Sequence, residues 1–153
     1  MKIRAGVRLI FLLGLTFTIV FGIKGYETSP ELKPWVDAFI PKPDKYVYRL
    51  VDMDAVSKVQ NKDGKIVGLA LMWLDTVYID SKYWKHASYY QKASLLIHEY
   101  GHHELGLFAF GMSSHNDKLM RDGCPESVMY SKVISDECLH KHFVMYRQES
   151  REW

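Results

Sequence analysis

At 153 residues, with 48% hydrophobic and 25% charged residues, the chain has the length and composition of one globular domain rather than of a disordered protein. The formal charge of +2 is misleading, because residues 1–25 contain basic residues and no acidic one, whereas acidic residues slightly outnumber basic ones in the remainder. No basic stripe with interleaved aromatic residues is present, so composition excludes a nucleic-acid partner.

The N-terminal segment predicts export. Residues 9–23 form an uncharged apolar run that follows Lys2, Arg4 and Arg8, which is the layout of a signal peptide. The run is shorter than the roughly 20 residues that a membrane-spanning helix needs, although an uncleaved signal anchor stays open. We therefore expect residues 1–25 to be a signal peptide or signal anchor. Residues 26–153 are expected to form a single periplasmic or secreted domain, monomeric, with membrane contact only through residues 9–23.

The elements that follow in chain order predict an α+β fold with a small mixed sheet. Ser29 and Pro30 predict the start of a helix over residues 30–40, which two prolines in residues 41–44 end. Alternation with β-branched and aromatic residues predicts a strand over 46–53, and two further extended runs over 65–73 and 76–80 follow the turn signal NKDG at 61–64. Ser88 and Gln91 have the spacing of a capping box and predict a helix over 89–105. A last helix is expected from near Ser135 to about residue 148.

The chain contains two cysteines, Cys124 and Cys138. In an exported protein they predict one disulfide, and two buried free thiols are the alternative.

The sequence HEYGH, residues 98–102, lies on the predicted helix over 89–105. Residues four apart share a helix face, so His98 and His102 can offer two imidazoles to one metal ion. Glu99 is turned about 100° from His98, close enough for its carboxylate to reach a water on that ion. A glycine inside a helix, such as Gly101, lowers helix stability by about 1 kcal/mol relative to alanine. Its presence therefore predicts a neighbour too close for a side chain. The pattern is the HExxH signature of a zinc site, although imidazoles bind other divalent ions too.

The chemistry of such a site is hydrolysis. Zinc lowers the pKa of a bound water toward about 7 and polarises a carbonyl group. Glu99 would act as general base, taking a proton from the water and passing it to the leaving amine. The expected substrate is a peptide or protein.

This stretch resembles the metzincin zinc peptidases, whose motif HExxHxxGxxH/D precedes a tight turn that carries a methionine beneath the metal, the Met-turn. Residues 124–131, CPESVMYS, resemble that turn, with Met129 in place. The resemblance also implies that an edge strand before the active-site helix aligns substrate by strand addition. Those strand residues are Gly68, Leu69, Ala70, Leu71 and Met72.

The chain departs from the family motif after His102. The third ligand is expected six residues later, where Phe108 stands, and Gly106 comes one residue late. The next suitable histidine is His115, which implies an insertion in the loop and is our predicted third ligand. The alternative ligands are carboxylates, namely Asp117, Asp122 and Glu126. His103 should face away from the site, Glu104 should be a solvated charge, and we expect no metal-binding role for His86, His140 and His142.

The leading hypothesis is a zinc-dependent endopeptidase. A second hypothesis keeps the zinc and removes the catalysis, leaving a structural or interaction module. A third, which rests on residues 9–23 alone, is a membrane-anchored assembly protein without metal. Glu99 favours the enzyme, because a purely structural zinc site needs no carboxylate beside a water.

Overall fold

The structure is a computed structural model that describes residues 27–54, 66–71, 74–105 and 115–153. Its elements are α1 (Lys33–Phe39), β1 (Val47–Val51), β2 (Gly68–Leu71), β3 (Thr76–Asp80), α2 (Ser81–His86), α3 (Tyr89–Glu104) and α4 (Asp136–Glu149). This small α+β fold with a mixed sheet agrees with the predicted class. The predicted signal segment, residues 1–25, lies outside the described residues. No helix in the described part of the chain combines the length and apolar character needed to cross a bilayer.

The three strands form one sheet in the order β1-β3-β2. β1 runs parallel to β3, whereas β2 runs antiparallel to it. Every residue of the central strand β3 is buried, and it supplies Val77 and Ile79 to the main core. The expected strands are therefore present. β3 has the predicted bounds, β1 is shorter than the predicted 46–53, and β2 begins at Gly68, with residues 65, 72 and 73 of that prediction outside the described residues.

Strand β2 lies at an edge of this sheet, with one backbone face turned away from β3. A hydrogen bond of 2.9 Å from Asp80 N to Val67 O makes these two residues a hydrogen-bonded antiparallel pair. Hydrogen-bonded and non-hydrogen-bonded pairs alternate along an antiparallel ladder, so the backbone groups of Gly68 and Ala70 point away from β3. This outward face of β2 becomes important at the functional site.

Helix α3 is the central element of the fold. The predicted capping box is confirmed, because Ser88 Oγ accepts from Gln91 N and the Gln91 side chain accepts from Ser88 N. The helix contacts β2, α1 and α4, and it buries residues of the main core in those contacts. These residues are Ala93, Leu95, Leu96, Ile97 and Tyr100. Burial on several sides fixes the position of the HEYGH segment in the last two turns of this helix.

Two local predictions near helix ends are wrong. Ser29 does not cap α1, because its Oγ accepts a hydrogen bond from Leu50 N of β1 and the N-cap is Leu32. The proline in the first helical turn is Pro34 rather than Pro30. Helix α2 was not predicted at all. The residue that could have indicated this helix is Asp80, whose side chain accepts a hydrogen bond from Lys82 N as the helix N-cap. Asp80 is also the last residue of a predicted strand, so its capping role was overlooked.

Candidate metal centre

Three of the predicted site residues converge in the structure. His98 and His102 lie on one face of α3, and His115 is the first residue of the described range 115–153. One ring nitrogen from each lies within 4.8 Å of the others, and the ring centroids are 4.8 to 5.2 Å apart. The sequence therefore identified three side chains that form one potential metal-binding group.

The orientation of the His98 ring is fixed by the backbone. Its Nδ1 lies 2.8 Å from the carbonyl oxygen of Val128, and because a carbonyl can only accept, Nδ1 carries the proton. The Nε2 lone pair then points toward His102, whose Nε2 is 3.1 Å away. Two imidazole ligands of a tetrahedral zinc ion, each about 2.0–2.1 Å from the metal, stand about 3.3 Å apart. The observed separation suits a metal ion bound by both rings, or a proton shared between them.

Both helix histidines are held in the neutral form at neutral pH. Burial lowers the pKa of His98 to about 4, with the hydrogen bond to Val128 opposing the shift. Burial, together with the neighbouring imidazoles, lowers the pKa of His102 to about 3. Neutral imidazole is the form that binds a metal ion.

Glu99 lies on the turn between the two helix histidines and reaches back to strand β2. Its side chain is only 5% exposed, and its carboxylate accepts a hydrogen bond from Ala70 N, one of the outward-facing groups of that strand. Burial raises the pKa of Glu99 to about 8, and the Ala70 hydrogen bond opposes this shift by favouring the carboxylate. Glu99 is thus a buried carboxyl group, next to His98 in sequence, whose raised pKa makes its carboxylate a stronger base than that of an exposed glutamate.

Gly68 makes room for this carboxylate. A β-carbon at Gly68 would stand 2.7 Å from the Glu99 carboxyl carbon, closer than van der Waals contact allows. We expect Gly68→Ala to lower the free energy of unfolding by about 1–3 kcal/mol, because overpacking displaces either β2 or the Glu99 side chain. Chemical denaturation of the full chain measures this difference.

A matched pair of variants separates this clash from a general intolerance of side chains in β2. In a Glu99→Ala background the obstructing carboxylate is gone, so adding Gly68→Ala should cost much less than in the wild type. An equal loss in both backgrounds would show that Glu99 is not what Gly68 accommodates.

The residues 127–129, which we call the methionine turn, pack against the same helix. Met129 is 1% exposed and lies against Gly101 together with the ring of Trp153. A β-carbon at Gly101 would come within 2.7 Å of that ring, which is the close neighbour that the helical glycine predicted. Met129 O also accepts from Asn116 N at 2.9 Å, so the turn adjoins the residue after His115. The predicted methionine is therefore a buried contact of the histidine helix.

The disulfide is confirmed. Cys124 and Cys138 are bonded, and they join the segment before the methionine turn to the first turns of α4. Cys124 also lies near Asp122 and His142 in a second group of metal-ligand residue types. Its sulfur is in the disulfide and offers no thiolate, and Asp122 instead accepts hydrogen bonds from Lys141 and Cys124 N and contacts His142. This second group is an ion-pair cluster that holds a turn.

The carboxylates proposed as alternative ligands lie elsewhere. Asp117 accepts from Ser131 N at 3.0 Å, Asp122 belongs to the cluster just described, and Glu126 is exposed. Within the described ranges, none of them belongs to the group formed by the three histidines. Of the rival ligands, only His115 is close to the helix pair.

His103 and Glu104 face the opposite side of α3. The His103 ring stacks on Tyr46 at 4.1 Å, as expected for a residue that points away from the site. The expectation that Glu104 is solvated is wrong, since its side chain is 5% exposed. It accepts hydrogen bonds from Lys42, Lys45 and Tyr46, at 2.9, 2.6 and 2.9 Å. Burial by itself raises the pKa of Glu104, but these bonds outweigh burial and lower the pKa to about 2.

Some predicted features lie outside the described residues. They are Met72 at the end of the edge strand, Gly106 as the helix stop, and the loop insertion up to residue 114. The four other predicted strand residues, Gly68, Leu69, Ala70 and Leu71, form β2.

Comparisons with protein families, with curated proteins and with solved structures found no match for this chain. Its function is therefore argued from the geometry of the histidine group, Glu99 and the edge strand.

Proposed function

We propose that the chain is a zinc-dependent peptidase of the metzincin-like type, with His98, His102 and His115 as metal ligands and Glu99 as general base. The observation that carries the proposal is the convergence of three imidazoles, two of them on the helix that also carries the buried Glu99. Sequence spacing suggested two of the ligands, and the position of the His115 imidazole near them supports the third.

The donor set fits zinc. Three nitrogen ligands that leave a fourth position open are typical of catalytic zinc sites, whereas structural sites are closed by four protein ligands. In the described part of the chain the group contains three histidines and no fourth protein ligand. A shared proton would explain why two imidazoles lie close together. It would not explain why a third imidazole lies beside them.

Zinc bound there would lower the pKa of a water molecule and polarise the substrate carbonyl. The chain's own contribution to the reaction is Glu99, which follows the first ligand directly in sequence. It would accept a proton at its carboxylate from the attacking water and deliver that proton to the nitrogen of the leaving amine. Its hydrogen bond from Ala70 N holds the carboxylate on the side of α3 that faces β2.

A peptide substrate is favoured by strand β2. The outward backbone groups of Gly68 could pair with an extended peptide, since strand addition to a sheet edge supplies main-chain hydrogen bonds in register. Such a peptide would run past Glu99, because that side chain lies directly against Gly68. The edge strand and the proton acceptor are thus adjacent, as cleavage of a bound strand requires.

A second candidate is a zinc-binding module without catalysis. One observation favours it: Glu99 is 5% exposed and already accepts a hydrogen bond from Ala70 N, so it also serves to fasten α3 to the edge strand. In this alternative the histidines and Glu99 hold the fold together, and no peptide bond is cut.

One experiment separates the two candidates. The full chain is loaded with zinc and incubated with a library of unstructured peptides, and mass spectrometry detects the products. We expect cleavage that 1,10-phenanthroline abolishes and that added zinc restores, because removal of the ion removes the polarising group.

Two outcomes would contradict the peptidase. Cleavage that persists undiminished after chelation would point to a metal-independent reaction or a contaminating protease. A chain that binds zinc tightly and cuts no member of the library would support the non-catalytic module.

A further inference from the structure

The methionine turn is held from its far side by the last residue of α4, Glu149. Its Oε1 accepts a hydrogen bond from Ser127 Oγ at 2.5 Å, and its Oε2 accepts from Val128 N at 3.0 Å. Ser127 and Val128 are 3% and 1% exposed, so water does not compete for these two donors. One carboxylate therefore accepts hydrogen bonds from two consecutive residues of the turn, one at each oxygen.

The same turn contacts the histidine group on its other side. Val128 O accepts the proton of His98 Nδ1 at 2.8 Å, so the N–H and C=O of one residue are bonded in succession to Glu149 and to His98. The next residue, Met129, accepts from Asn116 N, which is adjacent to His115. Met129 N in turn donates to Ser127 Oγ at 3.0 Å, which closes the turn on itself.

We infer that Glu149 is a positioning residue for the metal centre, acting through the methionine turn on the ring of His98. This inference rests on the metal site of the proposed function, although not on peptidase activity. A metal-binding imidazole needs its second nitrogen bonded to a fixed acceptor, which sets both the tautomer and the plane of the ring. Here the acceptor is a backbone carbonyl, and a turn can present that carbonyl reproducibly only if the turn is anchored.

In this arrangement the anchor accepts two hydrogen bonds, which the two oxygens of a carboxylate provide. Both groups that face Glu149 are donors, so both of its oxygens must accept. Glutamine offers one accepting oxygen and one donating NH₂ group, so with its oxygen on Val128 N it would present a donor to Ser127 Oγ, and the hydroxyl could no longer donate to residue 149. Glu149→Gln is therefore a nearly isosteric change that disrupts the hydrogen bond donated by Ser127 and keeps an acceptor for Val128 N.

The test measures zinc affinity of the full chain by competition with a chromophoric chelator, together with the visible spectrum of the Co²⁺-loaded chain. We expect Glu149→Gln to weaken zinc binding by about 10–100-fold, the usual effect of losing an outer partner of a ligand histidine. The Co²⁺ spectrum should shift, because the His98 ring is no longer held in one plane. Ser127→Ala deletes one of the two donors and should weaken binding in the same direction to a smaller extent.

Glu152→Gln is the matched control, since Glu152 is an exposed carboxylate three residues further on and should leave affinity and spectrum unchanged. A merely structural role for Glu149 predicts a lower unfolding free energy of the metal-free chain with wild-type zinc affinity and a wild-type Co²⁺ spectrum. That result, in Glu149→Gln or in Ser127→Ala should the first variant not fold, would overturn the inference. A wild-type chain that binds no zinc would overturn it together with the proposed function, whereas zinc binding without peptide cleavage would remove only the peptidase.

Discussion

Replacing Glu99 by glutamine is expected to leave zinc binding intact and to slow peptide cleavage by about 10²–10⁴-fold, the usual contribution of general acid–base catalysis. The amide keeps an oxygen that can accept the Ala70 N–H, so the contact between α3 and β2 survives. The amide is not basic, so it cannot take the proton of the attacking water. Initial cleavage rates at saturating zinc, for a peptide identified from the library, measure the effect.

Glu126→Gln provides the matched control for this prediction. It makes the same chemical change at an exposed carboxylate outside the histidine group, so we expect wild-type rates and wild-type zinc content. If Glu99→Gln cleaves as fast as this control, Glu99 is not the general base. If Glu99→Gln loses zinc as well as activity, the carboxylate supports the metal site rather than the reaction.

The parts of the site that the sequence could predict are those governed by local geometry. His98 and His102 are four residues apart on a helix whose capping box could be recognised in the sequence. A spacing of four residues places two side chains on the same face of a helix. Gly101 was also informative, because a helical glycine implies a neighbour too close for a β-carbon, and Met129 and Trp153 are those neighbours. The disulfide followed from the number of cysteines and the expected compartment.

Contacts between residues far apart in sequence were beyond such reasoning. Glu104 looked like a surface charge, since nothing local indicates that Lys42 and Lys45 form ion pairs with it and that its side chain is only 5% exposed. No pattern pointed to Glu149 either, because its partners are backbone and hydroxyl groups more than twenty residues away. The fit of Gly68 against Glu99 likewise depends on packing of β2 on α3. Long-range partners of this kind emerge only when the chain is folded.

His115 lies between these two cases. It was selected as the nearest suitable histidine after the departure from the family spacing, and the structure brings it to within 4.8 Å of the helix pair. Its removal should have the second large effect. A direct ligand contributes more than its outer partners, which themselves account for about 10–100-fold in metal affinity. We therefore expect His115→Ala to weaken zinc binding by more than about 100-fold.

The zinc dissociation constant of the full chain, measured for the wild type, His115→Ala and His140→Ala, tests the metal centre most directly. His140 is an exposed histidine of α4 whose ring packs on Tyr90, so its loss removes an imidazole without touching the group. We predict one tightly bound zinc ion per wild-type chain, the same affinity in His140→Ala, and the large loss in His115→Ala. Equal zinc affinity in His115→Ala and the wild type would contradict the three-histidine centre on which the proposed function depends.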